Sequence, residues 1–206
     1  MLLYYITDRK QFSGDEAQQR EQLIAKITEA ARADVDFIQL REKDLSSREL
    51  EQLAHAAIEA VRSKSSKTRL LINSRTDVAL AAGADGVHLR STDISPADVR
   101  RIWRGAGLTS DPVVAASCHS ETEVMAAKAA GADFVVFGPV FGKGDTPATG
   151  IPALRATCAH GIPVLALGGV TVDDARSCLE AGAAGIAGIR LFQDSNRGTI
   201  VTRLRD

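Results

Sequence analysis

Three polar side chains alternate along one short stretch of the chain: Gln39, Arg41 and Lys43. Alternate residues of a β-strand share a face, so one strand would present an amide and two cations together. Arginine binds phosphate through two parallel N–H bonds, and lysine acts as a point charge. The spacing predicts a site for an anionic ligand. The alternative is a structural layer in which nearby carboxylates neutralise both cations. The carboxylates in question are Glu42, Asp44 and Asp93.

A glycine pair, Gly168-Gly169, stands between an apolar run and a helix predicted to begin near Asp173. Glycines allow a close approach of the backbone to a phosphate, and N–H groups at a following helix start favour negative charge. The pair therefore indicates a phosphate site, with a plain tight turn as the alternative.

His119 follows another apolar run, within Ser117-Cys118-His119-Ser120. Histidine can accept and release protons near neutral pH, which makes His119 a candidate proton carrier. Ser120 and Glu123 resemble a helix capping box, so a purely structural role for this stretch is the alternative. Strand alternation turns Cys118 away from His119, and we expect a buried, unreactive thiol there.

Asp93 is the one carboxylate near the end of the fourth apolar run that is placed to hold a metal ion. Magnesium takes one or two carboxylates together with substrate phosphates. A helix start at Ser95-Pro96 offers the alternative, since a carboxylate there also stabilises the helix dipole.

These residues follow eight short runs rich in β-branched residues, and amphipathic stretches such as Ala17–Ala33 and Arg48–Val61 lie between the runs. Nearly all-apolar runs are typical of parallel strands covered on both faces. The predicted strands are Leu2–Thr7, Phe37–Arg41, Leu70–Asn73, Val87–Leu89, Val113–Ser117, Phe134–Phe137, Val164–Leu167 and Gly185–Ile189.

A short motif repeats at the start of several of these runs. Ala82–Val87 recurs as Ala130–Val135 and Ala181–Ile186, and Ala31–Ile38 is a looser fourth copy. In each copy a glycine or its equivalent ends a helix and a strand follows directly. Eight such βα units predict one (β/α)₈ TIM barrel over residues 1–206, with a doubly wound sheet as the alternative. In this barrel the active site lies at the carboxyl ends of the strands, where the polar residues above collect.

The composition excludes several classes of protein. The 206 residues carry a net charge of −1 and no long basic run, which argues against nucleic-acid binding. The apolar start, Met1 to Ile6, is too short to span a membrane. Three scattered cysteines indicate neither a disulfide framework nor a zinc site, so we expect a cytoplasmic protein.

Taken in order, the motifs resemble the thiamine phosphate synthase/TenI family over nearly the whole chain. The segments that carry the resemblance are Gln39–Lys43, Ile72-Asn73, Gly86–Leu89, Ser117–Ser120, Phe137–Phe141 and Leu167–Val170. The resemblance implies binding of a thiazole phosphate at the loops after strands seven and eight. It also implies one of two activities: Mg²⁺-dependent coupling of a pyrimidine diphosphate to the thiazole phosphate, or metal-free tautomerisation of a thiazole phosphate carboxylate.

Two positions depart from the synthase pattern. Ser74 stands where the synthase has a metal-binding aspartate after its strand-three asparagine, here Asn73. The loop Pro139–Gly150 lacks the threonines of the synthase motif, although Lys143 could substitute for its lysine. These departures, together with His119, slightly favour a TenI-like tautomerase.

The tautomerase hypothesis needs no cofactor and gives His119 the proton transfer and Arg41 or Lys43 the substrate carboxylate. The synthase hypothesis gives Asp93 the Mg²⁺ and assigns the diphosphate to Arg41, Lys43 and Asn73. Two further alternatives are a non-catalytic binder of thiamine intermediates and another phosphate-binding barrel enzyme. We expect the protein to bind small phosphorylated ligands and to bind neither nucleic acid nor a membrane. The sequence is compatible with a homodimer. The residues assigned to the site besides Asp93 are His119, Arg41, Lys43, Gln39, Asn73, Ser117, Gly168, Gly169, Ile189 and Arg190.

Overall fold

Eight parallel strands close into a barrel in chain order, with β1 pairing with both β2 and β8. The computed structural model describes residues 1–142, 147–193 and 200–205. The predicted (β/α)₈ barrel is therefore confirmed. The strands are β1 (Leu2–Ile6), β2 (Phe37–Leu40), β3 (Arg69–Asn73), β4 (Gly86–Leu89), β5 (Val113–Cys118), β6 (Phe134–Phe137), β7 (Val164–Ala166) and β8 (Gly185–Gly188).

Helices surround this barrel. They are α1 (Glu16–Arg32), α2 (Ser47–Arg62), α3 (Thr76–Ala82), α4 (Pro96–Gly105), α5 (Glu121–Ala129), α6 (Gly150–Cys158), α7 (Ala175–Glu180), α8 (Arg190–Gln193) and α9 (Ile200–Arg205). Among the helices described, none is both long and apolar enough to cross a bilayer.

Several strands end one residue earlier than the sequence predicts, and the reason is visible at β2. The Arg41 N–H donates to the Thr7 hydroxyl oxygen at 2.9 Å, so a side chain replaces the strand carbonyl as acceptor. Likewise α7 begins at Ala175 rather than near Asp173, because Asp174 accepts hydrogen bonds from the backbone and hydroxyl of Thr171 in a preceding turn.

The repeated motif forms the αβ turns at the amino end of the barrel. Gly83, Gly131 and Gly182 have positive φ, as predicted, and in the fourth copy Asp34 takes that conformation at φ 55°. Aspartate is one of the few non-glycine residues that tolerate it.

An aspartate in three of these turns binds the neighbouring strand. The Asp36, Asp85 and Asp133 carboxylates accept the backbone N–H groups of Leu3, Leu70 and Val114 at 2.9, 2.8 and 2.7 Å. We call these three residues the aspartate ties. The corresponding position before β8 is Ala184, which breaks the series.

The interior of the barrel is filled by side chains. Tyr4, Phe37 and Phe134 meet edge to face or tilted, with ring centroids 4.7–5.9 Å apart. Larger apolar clusters fill the space between the strands and the helices. The barrel is thus closed below, and space for a ligand is left at its carboxyl end.

Candidate active site

A cavity of about 1220 Å³ opens at the carboxyl ends of the strands. Every residue that the sequence assigns to the site lines it except Asp93. A second cavity of about 310 Å³ lies between α1 and the carboxyl-terminal helices, away from these residues. We place the candidate site in the larger cavity. Its predicted lining residues are Gln39, Arg41, Lys43, Asn73, Ser117, His119, Gly168, Gly169, Ile189 and Arg190.

The alternation after β2 divides the charges as predicted. Gln39, Arg41 and Lys43 line the cavity, whereas Glu42 and Asp44 bind Arg9. Within residues 1–142, 147–193 and 200–205, no carboxylate forms an ion pair with Arg41. The structural ion-pair layer considered as an alternative is therefore wrong for Arg41.

Arg9 is the residue that binds the carboxylates of Glu42 and Asp44. From the sequence alone, it was assigned no role. Its guanidinium is 2% exposed and bonds Glu42 at 3.0 Å, Asp44 at 2.7 Å and Glu16 at 2.9 Å. The Thr7 hydroxyl also donates to Glu42 at 2.6 Å. We call Arg9, Glu16, Glu42 and Asp44 the Arg9 cluster. It joins the segments after β1 and β2 to α1 and thereby fixes the backbone that carries Arg41 and Lys43.

The cluster affects the acidity of its carboxyl groups in opposite directions. Hydrogen bonding to Arg9 holds the pKa of Asp44 well below its usual range. Burial raises the pKa of Glu42, although bonds from Thr7 and Arg9 oppose that shift. Asp44 is thus ionised at neutral pH and belongs to the support of the site.

Below the cationic face, a line of buried polar side chains crosses the barrel. Gln39 Nε2 lies 3.2 Å from the Tyr4 hydroxyl, which lies 3.0 Å from His88 Nδ1. His88 Nε2 lies 2.7 Å from Ser117 Oγ. The sequence singled out Gln39 and Ser117 and missed Tyr4 and His88. The only signal for His88 was strand alternation, which was compatible with a side chain in the core or in the cavity.

His119 stands at the rim of the cavity with one ring nitrogen engaged. Its Nδ1 lies 2.6 Å from the carbonyl oxygen of Gly138. A carbonyl only accepts hydrogen bonds, so Nδ1 carries the proton and neutral His119 keeps Nε2 as an acceptor. No residue in the described part of the chain bonds Nε2. The predicted helix cap also forms, since the Ser120 hydroxyl accepts the Glu123 N–H at 3.2 Å.

Cys118 behaves as expected from its position. It is buried, and burial raises the pKa of its thiol to about 12. It is therefore no nucleophile at neutral pH.

The glycine pair after β7 forms the opposite side of the cavity. Gly168 and Gly169 have φ 93° and 68°, and added Cβ atoms would lie 2.5 Å from Pro139 and 2.6 Å from the Gly142 carbonyl. The Phe141 N–H donates to the Gly168 carbonyl at 2.9 Å. Backbone packing alone therefore requires glycine at both positions.

The loop Pro139–Gly150 is anchored at both ends. Thr149 and Gly150 donate backbone bonds to the carbonyls of Pro139 and Val140 at 2.8 and 3.0 Å. Lys143 and residues 144–146, the part of the loop considered as a substitute for the synthase motif, lie outside the described residues.

Asp93 lies beside the cavity rather than in its wall. Its carboxylate accepts the backbone N–H of Arg90 at 2.8 Å and a guanidinium N–H of the same residue at 2.8 Å. The backbone and the side chain of Arg90 thus both bind Asp93. Burial works to raise the pKa of Asp93, but hydrogen bonds from Arg90 and Ser74 lower it overall. The carboxylate is therefore anionic at neutral pH.

The oxygen donors at this corner are of the type that magnesium takes. One ionised carboxylate and the Ser74 hydroxyl supply hard oxygen donors, and substrate phosphates commonly complete such a site. Within the described residues, no group of three His, Cys, Asp or Glu side chains is arranged to hold a metal. Any ion here would therefore depend on substrate oxygens.

Comparisons with known proteins agree on the family. The family model described as thiamine monophosphate synthase matches residues 3–192. The chain is 43% identical to a putative thiamine-phosphate synthase of Geobacter sulfurreducens, over 90% of this chain and 83% of that protein. It is 38% identical to the putative thiamine-phosphate synthase 2 of Aquifex aeolicus, over 92% and 96%.

A solved structure gives the same result. The thiamine phosphate pyrophosphorylase from Pyrococcus furiosus superposes with a TM-score of 0.82 and 29% identity, over 99% of this chain and 93% of that one. These similarities do not support the preference for a tautomerase and favour the synthase alternative. The chain belongs to the thiamine phosphate synthase/TenI family.

Proposed function

We propose that this protein is a thiamine phosphate synthase, which joins a pyrimidine diphosphate to a thiazole phosphate and releases diphosphate. The observation that carries the proposal is one cavity lined by cationic side chains and by a glycine backbone pair, each suited to hold an anion. Arg41, Lys43 and Asn73 lie on one side, and the Gly168-Gly169 backbone lies on the other. Ligand cavities usually measure about 300–1,000 Å³, so about 1220 Å³ has room for two small substrates.

The two sides would have different tasks. On the glycine side, backbone N–H groups of residues 168–169 and 189–190 would hold the thiazole phosphate. On the cationic side, Arg41 and Lys43 would bind the diphosphate and stabilise its charge as it leaves. Fixed cations act most strongly on charge that develops in the transition state, and the Arg9 cluster keeps the backbone of Arg41 and Lys43 in place.

Asp93 and Ser74 would hold Mg²⁺ against the diphosphate. When bound, the ion neutralises phosphate oxygens and makes diphosphate a better leaving group. Removal of divalent cations with a chelator should therefore abolish coupling, and added Mg²⁺ should restore it.

The test is a paired assay on the purified protein. One arm supplies the pyrimidine diphosphate, the thiazole phosphate and Mg²⁺ and measures thiamine phosphate. The other supplies the thiazole phosphate carboxylate tautomer without metal and follows its isomerisation. Product in the first arm is expected. Turnover in the second arm alone would replace the synthase by the tautomerase, and binding without turnover in either arm would indicate a non-catalytic binder.

The tautomerase stays as a second candidate because of one contact. The bond from His119 Nδ1 to Gly138 leaves Nε2 as a proton acceptor at the cavity wall. If this activity exists, His119→Gln should abolish it, since glutamine cannot carry the proton. Full retained isomerisation in that variant would exclude His119 as the proton carrier.

A further inference from the structure

The buried line from Gln39 to Ser117 has properties that a simple core packing contact would not need. Tyr4 and His88 are 0% and 2% exposed, and the Tyr4 ring lies against Phe134, Phe37 and the His88 ring inside the barrel. Gln39, His88 and Ser117 line the cavity, whereas the fully buried Tyr4 does not. Polar groups buried this deeply must satisfy one another.

His88 is neutral in these surroundings. Its ring is buried, and the partners of its two nitrogens are the hydroxyl groups of Tyr4 and Ser117, so no carboxylate of the described residues bonds the ring to stabilise a charge on it. A neutral imidazole has one N–H donor and one bare acceptor nitrogen. His88 therefore donates to one of its two partners and accepts from the other.

With the Gln39 amide nitrogen toward Tyr4, the donors and acceptors along the line follow one order. The Gln39 amide nitrogen donates to the Tyr4 oxygen. Tyr4 has a single hydroxyl proton, and it is then directed to His88 Nδ1, which accepts. His88 Nε2 must consequently carry the ring proton and donate it to Ser117 Oγ. With that bond received, the Ser117 hydroxyl proton is directed elsewhere.

We propose that Tyr4 and His88 are positioning residues that orient the Ser117 hydroxyl as a hydrogen-bond donor into the cavity. The inference rests on the proposed function of that cavity. It also specifies the substrate atom: the group seated beside Ser117 must be an acceptor, such as a phosphate oxygen or an unprotonated ring nitrogen. A preoriented donor needs no rearrangement when charge develops on that atom.

Nitrogen-15 NMR of the labelled, ligand-free protein tests the direction of the line without any activity. Two-bond proton–nitrogen correlations assign the His88 tautomer, and we expect the proton on Nε2 throughout pH 5–8. The Nδ1-protonated tautomer would overturn the proposal. Tyr4→Phe removes the donor to Nδ1, so in the folded variant Nε2 should keep its proton, while the Nδ1 resonance should move downfield toward that of an imidazole nitrogen that accepts no hydrogen bond. An Nδ1 resonance that does not move would show that Tyr4 does not donate to it and would overturn the proposal as well.

A double-mutant cycle tests the consequence for the reaction. In the coupling assay, Tyr4→Phe should lower kcat/KM about tenfold, mainly through kcat, whereas the same change made in Ser117→Ala should add nothing. Independent, multiplicative losses would overturn the proposal, and thermal unfolding confirms that each variant is folded. If the wild-type protein has no coupling activity, the proposed function fails, while the tautomer measurement still decides the direction of the line.

Discussion

The two ends of the barrel use similar charged side chains in opposite ways. At the amino end, the aspartate ties accept strand N–H groups, and arginines bind the same three carboxylates: Arg205 with Asp36, Arg69 with Asp85, and Arg100 with Asp133. At the carboxyl end, Arg41 lines a large cavity and no carboxylate of the described residues pairs with it.

This difference separates stability from ligand binding. A charged group whose hydrogen bonds are all made within the protein stabilises the folded structure and has few donors or acceptors left for a ligand. A cation without an internal partner adds little to folding and is available for an anion. The Arg9 cluster is the informative exception, because it lies at the carboxyl end and is satisfied internally.

Arg9→Met should have the largest effect on stability, although the residue lies near the cavity. Removing one member of a buried ion cluster leaves Glu42 buried without its cation, which costs about 3–5 kcal/mol. Denaturant unfolding measures the loss. Lys10→Met is the matched control, because Lys10 also contacts Asp44 but is 62% exposed, and its effect should stay within about 0.5 kcal/mol. Equal effects of the two substitutions would contradict this account.

Arg41→Met should show the opposite profile. We expect kcat/KM in the coupling assay to fall about 100-fold, as when a preoriented donor to developing charge is lost. The free energy of unfolding should change by no more than about 0.5 kcal/mol. Arg101→Met, at an exposed position on α4, is the control for both measurements. A large loss of stability in Arg41→Met would mean that Arg41 stabilises the fold, as the paired charges at the amino end do, and would contradict the comparison.

Asp133→Ala should affect stability alone. The substitution leaves the Val114 N–H without its acceptor and removes the carboxylate partner of Arg100, which keeps its bonds to the Gly131 and Pro112 carbonyls, at a cost of about 1–3 kcal/mol. Activity at a temperature well below unfolding should remain that of the wild type. The exposed Asp111→Ala is the control and should change neither property. A drop in activity of the folded Asp133→Ala variant would show that the amino end of the barrel influences the active site, which would contradict this account.

The smallest expected effect concerns pH. The pKa of Asp44 is lowered by its bonds to Arg9, so its contribution is fully present above the unfolded-state value of about 3.9 and is lost as the pH falls below it. Because Asp44 is partly exposed, the contribution is about 1 kcal/mol or less. The stability difference between wild type and Asp44→Asn should therefore shrink from pH 6 to pH 3. A constant difference would show that ionisation of Asp44 is not involved.

Sequence reasoning succeeded where the signal is local. Alternation identified Gln39, Arg41 and Lys43, and the position of two glycines at the end of β7 identified Gly168-Gly169. The repeated turn motif predicted the barrel itself, because a helix end followed by a buried strand is encoded in a few consecutive residues.

It failed where partners come from distant strands. Tyr4 and His88 are 84 positions apart, and their contact depends on the shape of the closed barrel interior. The sequence likewise left open whether Glu42 and Asp44 neutralise Arg41 and Lys43, and it could not show that Arg9 binds both carboxylates. The preference for a tautomerase arose from Ser74, the loop Pro139–Gly150 and His119, local features that the similarity of the whole chain outweighs.

The aspartate ties occur before β2, β4 and β6, so the repeating structural unit of this barrel is a pair of strands with their helices. A pair of strands with its helices is therefore a suitable unit to exchange between related barrels. Each of the first three pairs brings its own aspartate tie at the amino end and its own contribution to the cavity at the carboxyl end. A chimera that exchanges a whole pair between family members should thus keep its junctions intact, whereas an exchange of one strand would divide a tie between two parents.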